Sequence, residues 1–297
     1  DHRDLHSFPT RRSSDLDRMD SINVLDAAQR LMDELQKEYS SMTTINVVVV
    51  GKTGSGKSTL INHVFREKMA DTGTGMPVTQ EIKKIEKAGF PLRIYDTPGL
   101  ELGGDNSIEN LIEDIQGLIE DGIQSQDPNQ AIHCIWYCIN VQSSRIEPTE
   151  MEFIKNLVNK TKYYNVPVIV ILTQAYPKKK ITEMKDAILS AHLPIEAIVP
   201  VLAKDVEFDD DYVIKASGLD KLVEVMNYVL PTRAKDTFVA IQTASLDLKK
   251  KKAQTIVKLA AAAAAAVGAI PIPFSDAAIL VPTQLSMLAK ITSSFGV

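Results

Sequence analysis

The stretch "GKTGSGKST" (residues 51–59) sets Gly51, Gly56, Lys57 and Ser58 at the spacing G-x-x-x-x-G-K-[ST]. That spacing suits phosphate chemistry. Gly51, Thr53, Gly54, Ser55 and Gly56 form a loop whose glycines let backbone N–H groups turn inward and approach phosphate oxygens. Lys57 neutralises the β- and γ-phosphates, and the Ser58 hydroxyl is placed to bind Mg²⁺. Thr59 continues the run into a helix whose N-terminus faces the anion. The loop comes after "INVVVV" and before "STLINHVF", the strand–loop–helix setting the motif needs.

A second acidic motif follows in "YDTPGL" (95–100). Asp96 can hold Mg²⁺ through water, and the Gly99 N–H can meet the γ-phosphate. Between the motifs lies "DTGTGMPVTQEI" (71–82), where Thr79 is the best-placed hydroxyl for Mg²⁺, with Thr72 and Thr74 as competitors. The expected metal set is therefore Ser58, Thr79 and Asp96, and the expected catalytic set is Lys57, Thr79 and Gly99.

The elements that must carry these residues alternate. Short β-branched or apolar runs at 45–51, 92–96, 131–139, 167–173 and 197–203 read as buried strands, and 82–88 reads as an edge strand beside 92–96. Helical patterns fall near 57–66, 108–121, 147–161, 182–191 and 218–229. Strands alternating with helices give a three-layer α/β domain with a mostly parallel sheet. Ahead of it, Leu25, Ala28, Met32, Leu35 and Tyr39 recur at helical spacing in a helix assigned to 17–43. The segment "HSFPTRRSSDL" (6–16) resembles a sequencing adaptor read as coding sequence, so 1–16 is set aside as non-native. The natural start is then Met19, or the true N-terminus is missing.

Residues 44–231 resemble the Era-like branch of the translation-factor-related (TRAFAC) GTPases. The likeness rests on the phosphate loop, the threonine of "PVTQ", "DTPG" and the spacing of the later strands. It implies a GTP-dependent switch that binds Mg-GTP and hydrolyses it to GDP and phosphate. Its two switch loops would be 67–80 and 97–108, ordered by the γ-phosphate and Mg²⁺ and released on hydrolysis.

Two departures stand out. Where the family carries Asn/Thr-Lys-x-Asp to read guanine, this chain has Thr173, Gln174, Ala175 and Tyr176. A tyrosine cannot accept two guanine protons as a carboxylate does. Gln174 can still lay its stem on the base. The later "PVLAKD" (200–205) resembles the Ser-Ala-Lys loop, with Leu202 replacing serine. Ala203 then offers a backbone N–H to guanine O6, Lys204 completes the motif, and Asp205 is a candidate for the missing carboxylate. The second departure is Leu100, where signalling relatives use glutamine to orient water. Hydrolysis is therefore expected to be slow without a partner. Gly54 occupies the place where potassium-dependent relatives carry asparagine, so potassium activation is not expected. An ATP-using P-loop enzyme and a nucleotide-binding scaffold without useful turnover stand as the alternatives.

The chain has 297 residues and a formal net charge of -5, which argues against non-specific nucleic-acid binding as its main business while leaving room for local basic patches; no specific nucleic acid is predicted. The only cysteines, Cys134 and Cys138, lie in an apolar run and suit a reducing cytoplasm. After residue 231 the composition changes. A long polar helix is expected from 232 to about 258, then seven alanines (260–266) and "AIPIPFSDAAILVPTQLSMLAKI". Within this helical C-terminal region (232–297), the tail from 255 onward resembles the start of a domain of unknown function that often follows such GTPases in bacteria and is often regarded as membrane-associated. "LKKKK" (248–252) beside an apolar stretch would attract anionic lipid. The uncharged run 259–274 is short of the roughly 20 residues of a spanning helix. A re-entrant hairpin and a soluble helical pair both remain open. Besides GTP and GDP, an unidentified protein effector is expected.

Overall fold

The computed structural model describes residues 13–65, 68–69, 82–98, 105–143, 145–208, 212–268 and 276–296. In chain order the elements are α1 (Ser13–Ser40), β1 (Ile45–Val50), α2 (Lys57–Val64), β2 (Lys83–Lys87), β3 (Phe90–Asp96), α3 (Asp105–Gln124) and β4 (Cys134–Asn140). There follow α4 (Pro148–Lys162), β5 (Val168–Thr173), α5 (Lys178–Ser190), β6 (Ala197–Val201), β7 (Val206–Phe208), β8 (Tyr212–Ile214), α6 (Leu219–Val229), α7 (Thr232–Ile241), α8 (Leu246–Gly268) and α9 (Asp276–Phe295).

Six strands make one sheet in the order β2-β3-β1-β4-β5-β6. All neighbours run parallel except β2, which pairs antiparallel with β3 at the edge. The period-two alternation of a strand explains how both faces are covered. On β1, Ile45, Val47 and Val49 point into one apolar layer with Leu60, Ile61, Met226 and Phe238 from α2, α6 and α7. Val48 and Val50 point into the other, with Ile115, Phe153, Leu157 and Ile188 from α3, α4 and α5. The expected three-layer α/β fold with a mostly parallel sheet is what forms.

The chain divides into two compact units, one comprising 42–252 with 294–296, the other 1–41 with 253–293 and 297. The first contains the sheet. It also takes in α7, whose Ala234, Thr237, Phe238 and Ile241 are buried, although the composition of that stretch reads as polar. The single long helix expected over 232–258 is in fact two. The break falls after Ile241, where Gln242 turns extended and pairs with Phe65. The Thr243 N–H donates to the Val64 carbonyl at 2.9 Å, and the Gln242 side chain closes on both the N–H and C=O of Ser245. Bonds to the end of α2 thus replace the helical ones. A second difference is the antiparallel β7–β8 hairpin, which the sequence pattern did not announce.

In the other unit, α1 runs from Ser13, so its backbone begins inside the segment set aside as non-native. α8 exposes Val257, Leu259 and most of the alanine run. No helix among the described residues is long and apolar enough to cross a membrane.

Candidate functional site

Every motif residue that the structure describes lies at the carboxyl end of the parallel sheet. This is where the chain leaves β1 toward β3 on one side and β4 on the other, the crevice that open α/β sheets offer to ligands. The phosphate loop (51–56) links β1 to α2. Gly51 has φ 149 and is packed so tightly that an added Cβ would collide with the Cys138 carbonyl oxygen. Gly54 and Gly56 have φ 75 and 83, left-handed values that a side chain would strain. These glycines let the loop fold back over its own strand.

The carbonyls of the loop are held by the rest of the protein. Asn140 Nδ2 donates to Gly54 O at 3.5 Å, and Thr173 Oγ1 donates to Ser55 O at 2.5 Å. Lys57 Nζ donates to Gly51 O at 2.8 Å and to Lys52 O at 3.3 Å. With carbonyls anchored this way, the loop presents N–H groups to its concave side. Ser55 Oγ is buried, with no hydrogen-bond partner among the described residues. Thr173, read from sequence as part of the base-recognition run, is thus a brace of the phosphate loop.

Asp96 ends β3 beside Lys57. Its Oδ1 is buried and has no hydrogen-bond partner among the described residues. Burial pushes its pKa upward, against the pull of the positive charges of Lys57 and Lys83. A buried, unpaired carboxylate oxygen next to a phosphate loop fits a hard divalent cation with oxygen ligands, as Mg²⁺ requires. Ser58 lies in the first turn of α2. The third expected metal ligand, Thr79, lies outside the described residues, as do Thr72, Thr74, Gly99 and Leu100. Neighbouring Cys138 is fully buried, and desolvation pushes its thiol up to about 12, which disfavours the thiolate.

At the base end, Gln174 adopts φ 50, and its carbonyl accepts from Gln142 Nε2 at 2.9 Å. The Ala175 N–H donates to Val201 O and thereby joins the two loops. Tyr176 packs edge-on against Phe208 of the hairpin, ring centroids 5.5 Å apart. Asp205 spends its carboxylate at the hairpin's foot. Oδ2 pairs with Lys215 Nζ at 2.8 Å and Oδ1 accepts the Ala216 N–H at 2.8 Å. Ala203 and Lys204 lie in the loop between β6 and that hairpin.

Sequence reasoning missed Asn140, Gln142 and the acidic start of α4. Asn140 and Gln142 stand at the ligand-bearing end of a central strand, a signal that could have drawn attention to them. Glu147 and Glu150 bind Lys52 of the phosphate loop. The lysine cluster at the start of α8 is less open than its composition suggests. Lys249 is buried and donates to the carbonyls of Ala240, Ser294 and Phe295, while Lys252 pairs with Asp236.

Such a loop at the switch point of this sheet makes this a P-loop α/β fold. Residues 46–174 match the family model described as 50S ribosome-binding GTPase. Among curated proteins, neuronal-specific septin-3 of Danio rerio is 29% identical over 208 residues, covering 62% of this chain and 55% of that one. Human septin-9 is 32% identical over 147 residues, 42% of this chain and 25% of its own. The chain spans about half the length of the septin-3 relatives it matches. Solved structures with a similar course include a dimerization-deficient mutant of Toc33 from Arabidopsis thaliana, at 18% identity over 72% of this chain and 92% of that one, TM-score 0.45. Another is Era of Aquifex aeolicus bound to GDP and aluminium fluoride, at 24% identity over 74% and 67%, TM-score 0.44.

Proposed function

We propose that this chain is a GTP-binding molecular switch that holds Mg-GTP and hydrolyses it slowly to GDP and phosphate. One observation carries the reading: a phosphate loop whose carbonyls are tied outward, with Lys57 at its mouth and an unpartnered Asp96 oxygen beside it. Lys57 already rests on two loop carbonyls, so its charge is positioned before a phosphate arrives. Ser58, Asp96 and, from sequence, Thr79 would hold Mg²⁺, which supplies charge neutralisation at the phosphates when bound. Gly99 would add an N–H to the γ-phosphate.

Guanine reading falls to the Gln174 stem and the Ala203–Lys204 loop. Asp205, the candidate for the missing carboxylate, contributes less on this reading because its two oxygens already serve Lys215 and Ala216. Hydrolysis without a partner is slow on this reading, since Leu100 cannot orient water, and an unidentified protein effector would act on the nucleotide state. A membrane surface is a weaker candidate partner: Lys249 is buried and Lys252 is paired, which leaves less free charge for anionic lipid than the sequence alone suggests.

Equilibrium binding of fluorescent GTP and ATP with Mg²⁺ tests the reading. GTP should bind more tightly, and Lys57→Ala should abolish Mg-GTP binding by removing the fixed positive charge at the phosphates. Equal binding of GTP and ATP would favour the ATP-using alternative, and unchanged affinity in Lys57→Ala would sink the site. Single-turnover release of phosphate separates a slow enzyme from a scaffold with none.

A further inference from the structure

Lys52, the second residue of the phosphate loop, turns its ammonium to the start of α4. Its Nζ lies 2.9 Å from Glu150 Oε2 and 3.0 Å from Glu147 Oε2, both at the start of α4. Glu150 is an unusual place for a charge, only 4% exposed on the inner face of a helix. Its other oxygen receives the Tyr137 hydroxyl at 3.4 Å from β4. Burial and the Glu150 charge raise the Tyr137 pKa well above its ordinary value, so the phenol stays a donor. For Lys52, burial alone would lower the pKa, but the hydrogen bonds to Glu150 and Glu147 outweigh it and raise it.

The backbone of the same lysine is the seat of the phosphate-binding one. Lys52 O accepts both the Ser55 N–H, at 3.1 Å, and Lys57 Nζ. The ammonium of Lys52 is tethered at two carboxylates, and through its four-carbon stem that tether restrains the residue whose carbonyl seats Lys57. Thr173 and Asn140 anchor the later half of the loop. The first half has Lys52. A buried carboxylate carries a desolvation cost that only a good partner offsets. Here the offset falls on the loop that needs a fixed geometry.

We propose that Glu150 is a positioning residue for the phosphate loop, acting through Lys52 to hold the carbonyl on which Lys57 is seated. The proposal rests on the GTP-binding reading above. It makes α4, an element with no residue at the phosphates, part of what sets nucleotide lifetime.

The test is a double-mutant cycle on the full chain, Glu150→Gln and Lys52→Met, read as the release rate of fluorescent GDP in Mg²⁺. Each single change should speed release about tenfold, the scale of one charge-assisted hydrogen bond. The double variant should be no faster than either alone, because both break the same link. Lys52→Arg, which keeps the charge and reach, should return release to within about twofold of the parent. A merely structural role predicts a lowered unfolding midpoint of the nucleotide-free chain with release unmoved, or effects that add in the double variant. Either result overturns the proposal. If Glu150→Gln does not fold, Lys52→Met and Lys52→Arg decide from the exposed end, and equal release in those two refutes it. If the parent binds no guanine nucleotide, the functional reading falls and takes this proposal with it. Binding with unchanged release in Glu150→Gln removes this proposal alone.

Discussion

Asp96 holds a buried carboxylate oxygen that no donor among the described residues reaches, which makes the residue unfavourable until a ligand arrives. Stability and function therefore pull in opposite directions at this position. Asp96→Asn removes the buried charge. It should stabilise the nucleotide-free protein by about 1 kcal/mol, the usual scale for relieving one buried, poorly paired polar group. The same change should erase most of the gain in GTP affinity that Mg²⁺ brings, at least about tenfold for one lost carboxylate interaction. Thermal unfolding without nucleotide and GTP titration with Mg²⁺ or chelator measure the two halves. A destabilised variant that keeps its Mg²⁺ dependence would show that Asp96 is a structural residue. Acid should act in the same sense. Because burial raises the folded-state pKa, protonation and loss of Mg²⁺ binding begin at a higher pH than for an ordinary aspartate.

Elements differ in how openly the sequence declares them, and the β7–β8 hairpin declares itself least. "VEFDDDYVI" (206–214) joins its strands through acidic residues, without the glycine or asparagine that marks a tight hairpin turn. What specifies it is tertiary: Asp205 grips Lys215 and Ala216 across its foot, and the Leu202–Ser217 bridge closes below. Cutting Asp205 back to alanine should accelerate exchange of the Ala216 amide and loosen the hairpin. It should leave the preference for GTP over xanthosine triphosphate within about twofold, because a carboxylate tied to the hairpin is not the main reader of the base. A collapse of that preference would return Asp205 to the base site. By contrast, β1, β4 and β5 are legible because their continuous apolar runs allow no exposed face. The phosphate loop is legible because its glycines answer a geometric demand, met here at Gly51 against Cys138. The break between α7 and α8 was not, since no glycine or proline marks it. Hydrogen bonds from residues far apart in the chain, Val64 to Thr243, decide it. The same holds for Thr173, whose hydroxyl finds Ser55 only once β5 lies beside the loop.

At the scale of the whole sheet-bearing unit, the two ends of the sheet have separate tasks. The carboxyl end carries the phosphate loop. The amino end is closed by a polar cluster in which buried Asn46 donates its side-chain amide to the carbonyls of Asn129 and Ala131. The Asn46 backbone N–H donates to His133 Nδ1 at 3.2 Å, which requires a lone pair and hence a neutral ring. Burial lowers the His133 pKa from 6.5 to about 4, the hydrogen bond to Ala131 notwithstanding. The folded state therefore refuses a proton that the unfolded chain accepts below 6.5. Stability present above pH 6.5 is lost progressively as pH falls toward 4, by about 3 kcal/mol for a shift of that size. Asp96 opposes this in part, because a carboxylate with a raised pKa favours the folded form on acidification. Trp136, the only tryptophan, is fully buried at the centre of the sheet and stacks on Phe65, so its emission reports unfolding of this unit. Denaturant titrations followed at Trp136 should show the midpoint falling between pH 6.5 and 4 in the nucleotide-free parent. His133→Asn cannot take up the proton, so it should be less stable than the parent at neutral pH yet nearly flat across that window. Parallel slopes in parent and variant would place the acid sensitivity on carboxylates instead and clear the sheet's amino end of any part in it.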